Sequence, residues 1–340
     1  MKKLALIDER DCTDPAVNLA MEEYVLRYLP AESDYFLLYR NEPSVIVGRN
    51  QNVLEEVDDF YIREKGIGLY RRISGGGAVY HDLGNLNFSF ITRYESSRLH
   101  NFRFFNEPLI KVLRTMGVPA EMNDRNDIIA DNRKISGNAQ FSTKGRMVSH
   151  GTLLFDSDLT NIDRTLTGKM SGIQSKSHKS VRSTTANISE FITSPISIQH
   201  FRAELLEGML RNGMEIRSYV PSEEELKQVH DISNNKYRSW EWNIGRSPRF
   251  RLERTGSFQS IRISVQLEVD KGVIVALNFS NPVTMKNDLA GLEELLTGIR
   301  YDPEAISRVI KQHEAILPDN ISRQGLLNLL YSVDSVPIRS

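Results

Sequence analysis

In one short segment, Arg71-Arg72-Ile73-Ser74-Gly75-Gly76-Gly77-Ala78-Val79-Tyr80-His81-Asp82, two guanidinium groups precede three successive glycines. Glycine lets a backbone press directly against a ligand and expose its N–H groups, and an arginine fork matches two phosphate oxygens at once. The segment reads as a seat for a nucleotide phosphate or, taken alone, as a flexible hairpin. Neither standard phosphate fingerprint fits it. A dinucleotide G-x-G-x-x-G starting at Gly75 would need glycine at Tyr80, and a P-loop Gly-Lys-Ser/Thr occurs nowhere in the chain. A second segment joins Arg125-Asn126-Asp127-Ile128 to Lys134-Ile135-Ser136-Gly137-Asn138-Ala139-Gln140, with one lysine beside small residues on a hairpin arm. By itself such a lysine is a solubilising charge on a strand edge.

The elements that must position these groups follow from periodicity. Asp14-Pro15 supplies an N-cap and an N1 proline, and Val17, Met21, Tyr24, Val25 and Tyr28 recur at helical spacing, which predicts a helix to about Leu29. Strands are predicted over 35–40, 44–49, 68–74 and 85–92. In the last of these Leu86, Phe88 and Phe90 alternate with Asn85, Asn87 and Ser89, as in an antiparallel sheet with one covered face. A helix over 102–116 ends at Gly117 and Pro119, and strands resume over 127–130, 134–140 and 147–155. Crossover helices do not space these strands, so a doubly wound parallel sheet is not expected. Residues 167–185, rich in Ser, Gly, Lys and His, read as a long surface loop of the first domain, with Lys169, Lys176, Lys179 and Arg182 in it. Helices are predicted over 198–211 and, behind Ser222 and Glu225, through His230. A hairpin over 261–279 turns at Asp270-Lys271-Gly272. Helices over 288–297, 302–316 and 322–332 complete a small α+β domain.

The chain has 340 residues, 40% of them hydrophobic, which favours two domains over one. Its formal charge of −1 leaves no whole-protein basic field for nucleic acid. A single cysteine, Cys12, excludes an intramolecular disulfide and any cysteine-rich metal site. The apolar run at the N-terminus is too short for a signal peptide and none suits a bilayer, so no membrane association and a cytoplasmic location are expected.

The two segments, with His150-Gly151-Thr152-Leu153-Leu154, stand in the order seen in lipoate–protein ligases, and the chain resembles a two-domain member of that family. Asn18-x-Ala20-x-Glu22, Val47-Gly48-Arg49-x-Gln51-Asn52, Ser180-Val181-Arg182-Ser183 and Lys236-Tyr237 with Trp240-Glu241-Trp242 extend the resemblance over residues 14–245. It implies a catalytic domain, 1–248, like those of class II aminoacyl-tRNA synthetases and biotin protein ligases: a mixed, mainly antiparallel sheet with flanking helices. A small α+β accessory domain, 249–340, follows. The implied chemistry is attack of lipoate on the α-phosphorus of ATP with Mg2+, giving lipoyl-AMP. The lipoyl group then passes to a lysine of an apo-lipoyl domain, on E2 subunits of 2-oxoacid dehydrogenases or the glycine-cleavage H protein.

The resemblance also assigns roles. Arg72 and the backbone of Gly75, Gly76, Gly77, Ala78, Val79 and Tyr80 would seat the phosphates. Asn126, Asp127 and Ala139 would serve the adenylate, with Asp127 a candidate for the metal. Lys134 would bridge carboxylate and α-phosphate without moving a proton. Leu19, Gly48, His81, Ser136, Gly137 and His150 would meet the lipoate, with core packing the other reading of Leu19 and a structural imidazole that of either histidine. Arg71, alternating with Arg72, points away as a surface charge or a second phosphate contact. The segment 167–185 would close over the adenylate. Trp240 and Trp242 read as packing at the domain junction.

Three rivals follow from the same residues. A thioester-forming acyltransferase needs an active-site cysteine, and Cys12 lies ahead of the first helix, away from both motifs. A transferase using only preformed lipoyl-AMP and a non-catalytic lipoate or nucleotide sensor would both keep the pocket. An apolar slot discriminates chain length by only about 1–3 kcal/mol per methylene, so octanoate should also be accepted.

Overall fold

The computed structural model describes residues 3–331 apart from 10, 144, 169, 171, 260, 281–285, 315, 316 and 318–320. Contacts divide the chain into two units. The first comprises Met1–Arg49, Gly66–Leu166 and Ser180–Ser239, and the second Asn50–Lys65, Thr167–Lys179 and Trp240–Ser340.

The first unit is built on a six-stranded sheet in the order Asn138–Ser142, Arg146–Leu154, Asn85–Arg93, Tyr35–Tyr39, Lys3–Glu9, Glu215–Ser218. The first four are antiparallel neighbours and the last two add in parallel, so the sheet is mixed and mainly antiparallel. On one face Leu86, Phe88 and Phe90 pack with Phe36, Leu38 and the buried sides of helices Phe102–Thr115 and Ile198–Arg211. The latter two helices meet so closely that a Cβ at Gly208 would lie 2.6 Å from Val112.

The opposite face differs from the expectation of one covered face, because Asn85, Asn87 and Ser89 are buried too. The polar residues of this strand are not a solvent face. They hydrogen-bond inside the unit: Asn85 Nδ2 donates to Asn87 Oδ1 at 2.9 Å and Ser89 Oγ to Glu22 of the first helix. That helix, Pro15–Tyr28, starts where the capping signal puts it, with Asp14 accepting the Ala16 N–H at 2.9 Å.

Two small sheets hold the chemistry-bearing segments. Ser44–Val47 is flanked by Gly68–Arg71 in parallel and Val79–His81 antiparallel, so the glycine segment is the loop joining the two outer strands. Ala120–Met122, Ile128–Ala130 and Arg133–Ser136 form a meander that carries Lys134. The strand expected over 134–140 is broken at Gly137, and Asn138–Ser142 leaves to join the large sheet.

The second unit is an antiparallel sheet, Ile173–Ser175, Phe250–Phe258, Ile261–Asp270, Val273–Ser280, with helices Lys286–Leu296, Pro303–Gln312 and Arg323–Leu330. The expected hairpin is there, turned through Lys271 at φ +50° and Gly272 at φ +72°. Its core includes Phe250, Leu252, Val265, Leu292 and Leu326. One expectation is corrected. Residues 167–179 are not a loop of the first domain: Ile173–Ser175 pairs with Phe250–Phe258 as the edge strand of this sheet. Helices Val53–Glu56 and Asp59–Lys65, not expected, also group here. Trp240 packs within this unit, its ring 2.4 Å from where a Gly272 Cβ would be and under the Arg300 guanidinium. The expected helix ends at Ile316 and Ser332, and Lys169, lie outside the described residues.

Candidate active site

The three glycines are not equivalent. Gly76 has φ +90°, where only glycine is at ease, and a Cβ built at Gly48 would lie 2.1 Å from its carbonyl oxygen. Gly77 is crowded by Ser180, whose Oγ would be 2.9 Å from a Cβ there. Gly75 has nothing within 4 Å of its would-be Cβ, so it is open to a ligand.

Arg72, expected as a fork onto phosphate, turns its fork onto its own loop. Nε donates to Ser74 Oγ at 3.0 Å, Nη1 to the Ile46 carbonyl at 3.0 Å, and Nη2 to the carbonyls of Gly75 and Gly77 at 2.7 Å each. Burial pushes its guanidinium down to about 10, opposed by Glu22 and Tyr39, and it stays cationic at neutral pH. Arg71 is neither surface charge nor an outward-facing group. It is fully buried, with Nη1 donating to the Gly48 carbonyl at 2.9 Å.

Behind the loop runs a buried line of polar groups. Ser74 Oγ meets His150 Nε2 at 2.7 Å, and His150 Nδ1 meets Glu22 Oε2 at 2.7 Å. Serine, histidine and carboxylate in that order have the spacing of a hydrolase triad. Ser74, however, is fully buried and its Oγ accepts the Arg72 N–H, so no acyl group reaches it. The line braces the loop from the first helix instead, and Leu19, buried three residues before Glu22, lies on the same side of that helix.

Lys134 stands at the other side of the site. Its Nζ lies 2.9 Å from Asp127 Oδ1, and a Cβ at Gly137 would come within 3.0 Å of Lys134 Cε and Nζ, so the ammonium folds over that glycine. Asn126, at φ +66°, makes the preceding turn, and its carbonyl accepts from Asn138 Nδ2 at 2.9 Å. Asn138 Nδ2 also reaches the buried Ser136 Oγ at 3.3 Å. Two residues beyond Gly137, Ala139 Cβ lies 3.9 Å from where a Gly76 Cβ would be, and Ala139 pairs with His150 across the sheet. Glycine loop, lysine hairpin and His150 strand thus meet through Ala139, with the Lys134 ammonium folded over Gly137 two residues away. Val79 and Tyr80, by contrast, continue as strand against Ile46 and Val45.

Such an arrangement can hold an anionic phosphate next to a carboxylate, and known proteins say which chemistry it belongs to. Residues 14–210 match the lipoyl protein ligase A/B catalytic domain and residues 247–330 the bacterial lipoate protein ligase C-terminus. A lipoate–protein ligase of Bacillus subtilis is 43% identical over 334 residues, which is 96% of this chain and 100% of that protein. This chain belongs to the lipoate–protein ligase family. Among solved structures, a lipoate–protein ligase A bound with ATP is 31% identical with a TM-score of 0.60, covering 72% of this chain and 98% of that one. A protein of T. acidophilum with bound lipoic acid matches equally, at 31% identity, TM-score 0.60, and 72% and 98% coverage. The fold described above is that of lipoate–protein ligases.

Two residues of this family member gain a place that their types alone did not announce. Glu22 and Ser74 lay inside recognisable motifs, but only the tertiary structure joins them through His150. His81 is set differently. Asn18 Nδ2 donates to Asn41 Oδ1 at 2.9 Å and Asn41 Nδ2 meets His81 Nδ1 at 2.9 Å, which fixes Nδ1 as the acceptor. Burial, then the charges of Arg72 and His150, push its imidazole down to about 3. The unfolded chain protonates this residue near pH 6.5 and the folded one only near pH 3, so across that window the unfolded state holds more protons. Stability therefore falls as pH drops through it, by up to about 1.4 kcal/mol per pH unit. In His81→Asn this part of the slope should vanish. Urea midpoints of both proteins between neutral and mildly acidic pH check it, and parallel slopes would refute the assignment.

Proposed function

We propose that this chain is an ATP-dependent, adenylate-forming lipoate–protein ligase. Lipoate attacks the α-phosphorus of ATP, pyrophosphate leaves, and the lipoyl group of lipoyl-AMP passes to a lysine of an apo-lipoyl domain, releasing AMP. The acceptors are lipoyl domains of E2 subunits of 2-oxoacid dehydrogenases or the glycine-cleavage H protein. Neither nucleic acid nor membrane is a partner, and the reaction runs in the cytoplasm. The observation that carries the reading is the convergence of the open glycine loop with the Lys134 ammonium on adjoining backbone.

Each assigned group has a physical task. The loop N–H groups from Gly75 to Ala78 would face the phosphates, with Val79 and Tyr80 anchoring the loop as the strand that follows it, while Arg72 keeps the loop in the shape that exposes them and adds its buried positive charge. Lys134 draws together two anions that repel, lipoate carboxylate and α-phosphate, and then polarises the acyl carbonyl. Asn126, Asp127 and Ala139 border the adenylate. Leu19, Gly48, His81, Ser136, Gly137 and His150 border the lipoate. Magnesium arrives with the nucleotide. No cluster of three or more His, Cys, Asp or Glu able to hold a metal occurs among the described residues, and Asp127, the expected metal contact, is paired with Lys134. The ion would take its ligands chiefly from triphosphate and water. The division into a catalytic part, 1–248, and an accessory part, 249–340, belongs to the same reading.

Lipoate-dependent exchange of pyrophosphate into ATP tests the activating half. Exchange supports it; its absence, with transfer from added lipoyl-AMP intact, would make the protein a transferase of a preformed adenylate.

A further inference from the structure

One hydroxyl already sits where this reading puts a phosphate oxygen. Ser180 Oγ accepts the Ala78 N–H at 3.0 Å, and it rests on Gly77, where a Cβ would lie 2.9 Å from that oxygen and 3.2 Å from the Ser180 Cβ. Of the three glycines, then, Gly77 is required by a protein side chain. The same segment is tied down at its far end. Lys134 N–H donates to the Thr184 carbonyl at 2.8 Å, Ala186 N–H donates to the Lys134 carbonyl at 3.0 Å, and Lys134 bridges Thr185 in parallel. Residues 180–186 therefore form a strap from the glycine loop to the backbone of Lys134, with Val181, Arg182, Ser183 and Thr184 exposed between the anchors.

We propose that Ser180 is an internal competitor of the nucleotide: its hydroxyl holds the Ala78 N–H until an anionic oxygen of ATP takes that donor and lifts the strap off Gly77, so that the strap opens to admit ATP before it closes again over the adenylate. The proposal rests on the glycine loop being the nucleotide seat. A single N–H pressed between Gly77 and a hydroxyl at 3.0 Å has no room for a second acceptor. A phosphate oxygen wins it because a charge-assisted hydrogen bond is about twice as strong as a neutral one. The cost is carried in the affinity, since the fraction of molecules with the donor released scales the apparent dissociation constant. The other anchor, at Thr184 to Ala186, uses different atoms and stays paired, so the strap hinges beside Lys134 and leaves the lysine in place.

The test compares wild type with Ser180→Ala, measuring ATP binding by calorimetry and KM against kcat in pyrophosphate exchange, with Ser194→Ala, exposed and outside the strap, as a control. The alanine removes the competing acceptor but leaves the N–H. ATP should bind about two- to tenfold more tightly, the worth of one net hydrogen bond. KM for ATP should fall by more than kcat changes, lipoate affinity should hold, and Ser194→Ala should match wild type. Unchanged or weaker ATP binding in Ser180→Ala, with wild type binding normally, would overturn the proposal alone. Failure of the wild type itself to bind ATP would remove the nucleotide seat and the proposal together.

Discussion

Replacing Lys134 by alanine is expected to lower lipoate-dependent ATP–pyrophosphate exchange by about 10²–10³-fold, the usual cost of removing one preorganised electrostatic group from a transition state. The ammonium is fixed from two sides, by Asp127 Oδ1 at 2.9 Å and by the bare backbone of Gly137 beneath it. No other lysine lies in the Ile128–Ala130 and Arg133–Ser136 hairpin to replace it. Because the same charge polarises the acyl carbonyl, transfer from added lipoyl-AMP should fall as well. Some stability is lost too, since Asp127 keeps a largely buried carboxylate without its partner. A thermal melt of the variant separates that from chemistry, as a folded variant still unfolds in one cooperative step near the wild-type temperature. Near-normal exchange in Lys134→Ala would remove this lysine from the mechanism.

A second large effect is expected at Gly48, which has no polar atom to offer a ligand beyond its backbone. Its Cβ would lie 2.1 Å from the Gly76 carbonyl oxygen and 3.3 Å from Arg72 Nη2. The backbone of Gly76 is not free to retreat, because the carbonyls on both sides of it, of Gly75 and Gly77, are held by Arg72. Gly48→Ala must therefore push the loop off its arginine, at about 1–3 kcal/mol or more for an overpacked site. ATP affinity should fall by more than about tenfold, since a loop shifted by a fraction of an ångström misplaces every N–H at once. Gly75→Ala supplies the contrast. With nothing within 4 Å of its Cβ it should melt like wild type, yet weaken ATP binding because the added methyl faces the ligand. Equal melting temperatures for Gly48→Ala and wild type would contradict the packing argument.

The chemistry-bearing segments were legible because their signals are local. Three successive glycines and a lysine among small residues need no tertiary knowledge to be noticed, and the order of the motifs supplied the rest. The direction of Arg72 was not legible. Whether a guanidinium meets a phosphate or four protein acceptors depends on where Ile46, Ser74, Gly75 and Gly77 lie, and spacing along one strand does not say. The brace from Glu22 through His150 to Ser74 joins residues 128 and 76 positions apart, beyond any periodicity. Alternation along Asn85–Arg93 normally marks a solvent-facing polar side, whereas here Asn85, Asn87 and Ser89 are buried behind the site. Ile173–Ser175 looks like loop in the sequence because three residues carry no period, and its pairing with Phe250–Phe258 is non-local. The strand Phe250–Phe258 alternates in its burial, but its polar residues and Gly256 give it a weaker period in the sequence than the hairpin after it.

The most direct test of the account is the mass of an apo-lipoyl domain after incubation with this protein, lipoate, ATP and magnesium. The account predicts an acceptor heavier by one lipoyl group on its target lysine, dependent on ATP and lost in Lys134→Ala. Acceptors from several E2 subunits and the H protein that all stay unmodified, while the protein still binds lipoate and ATP, would contradict it and leave a sensor that keeps the site without turning it over.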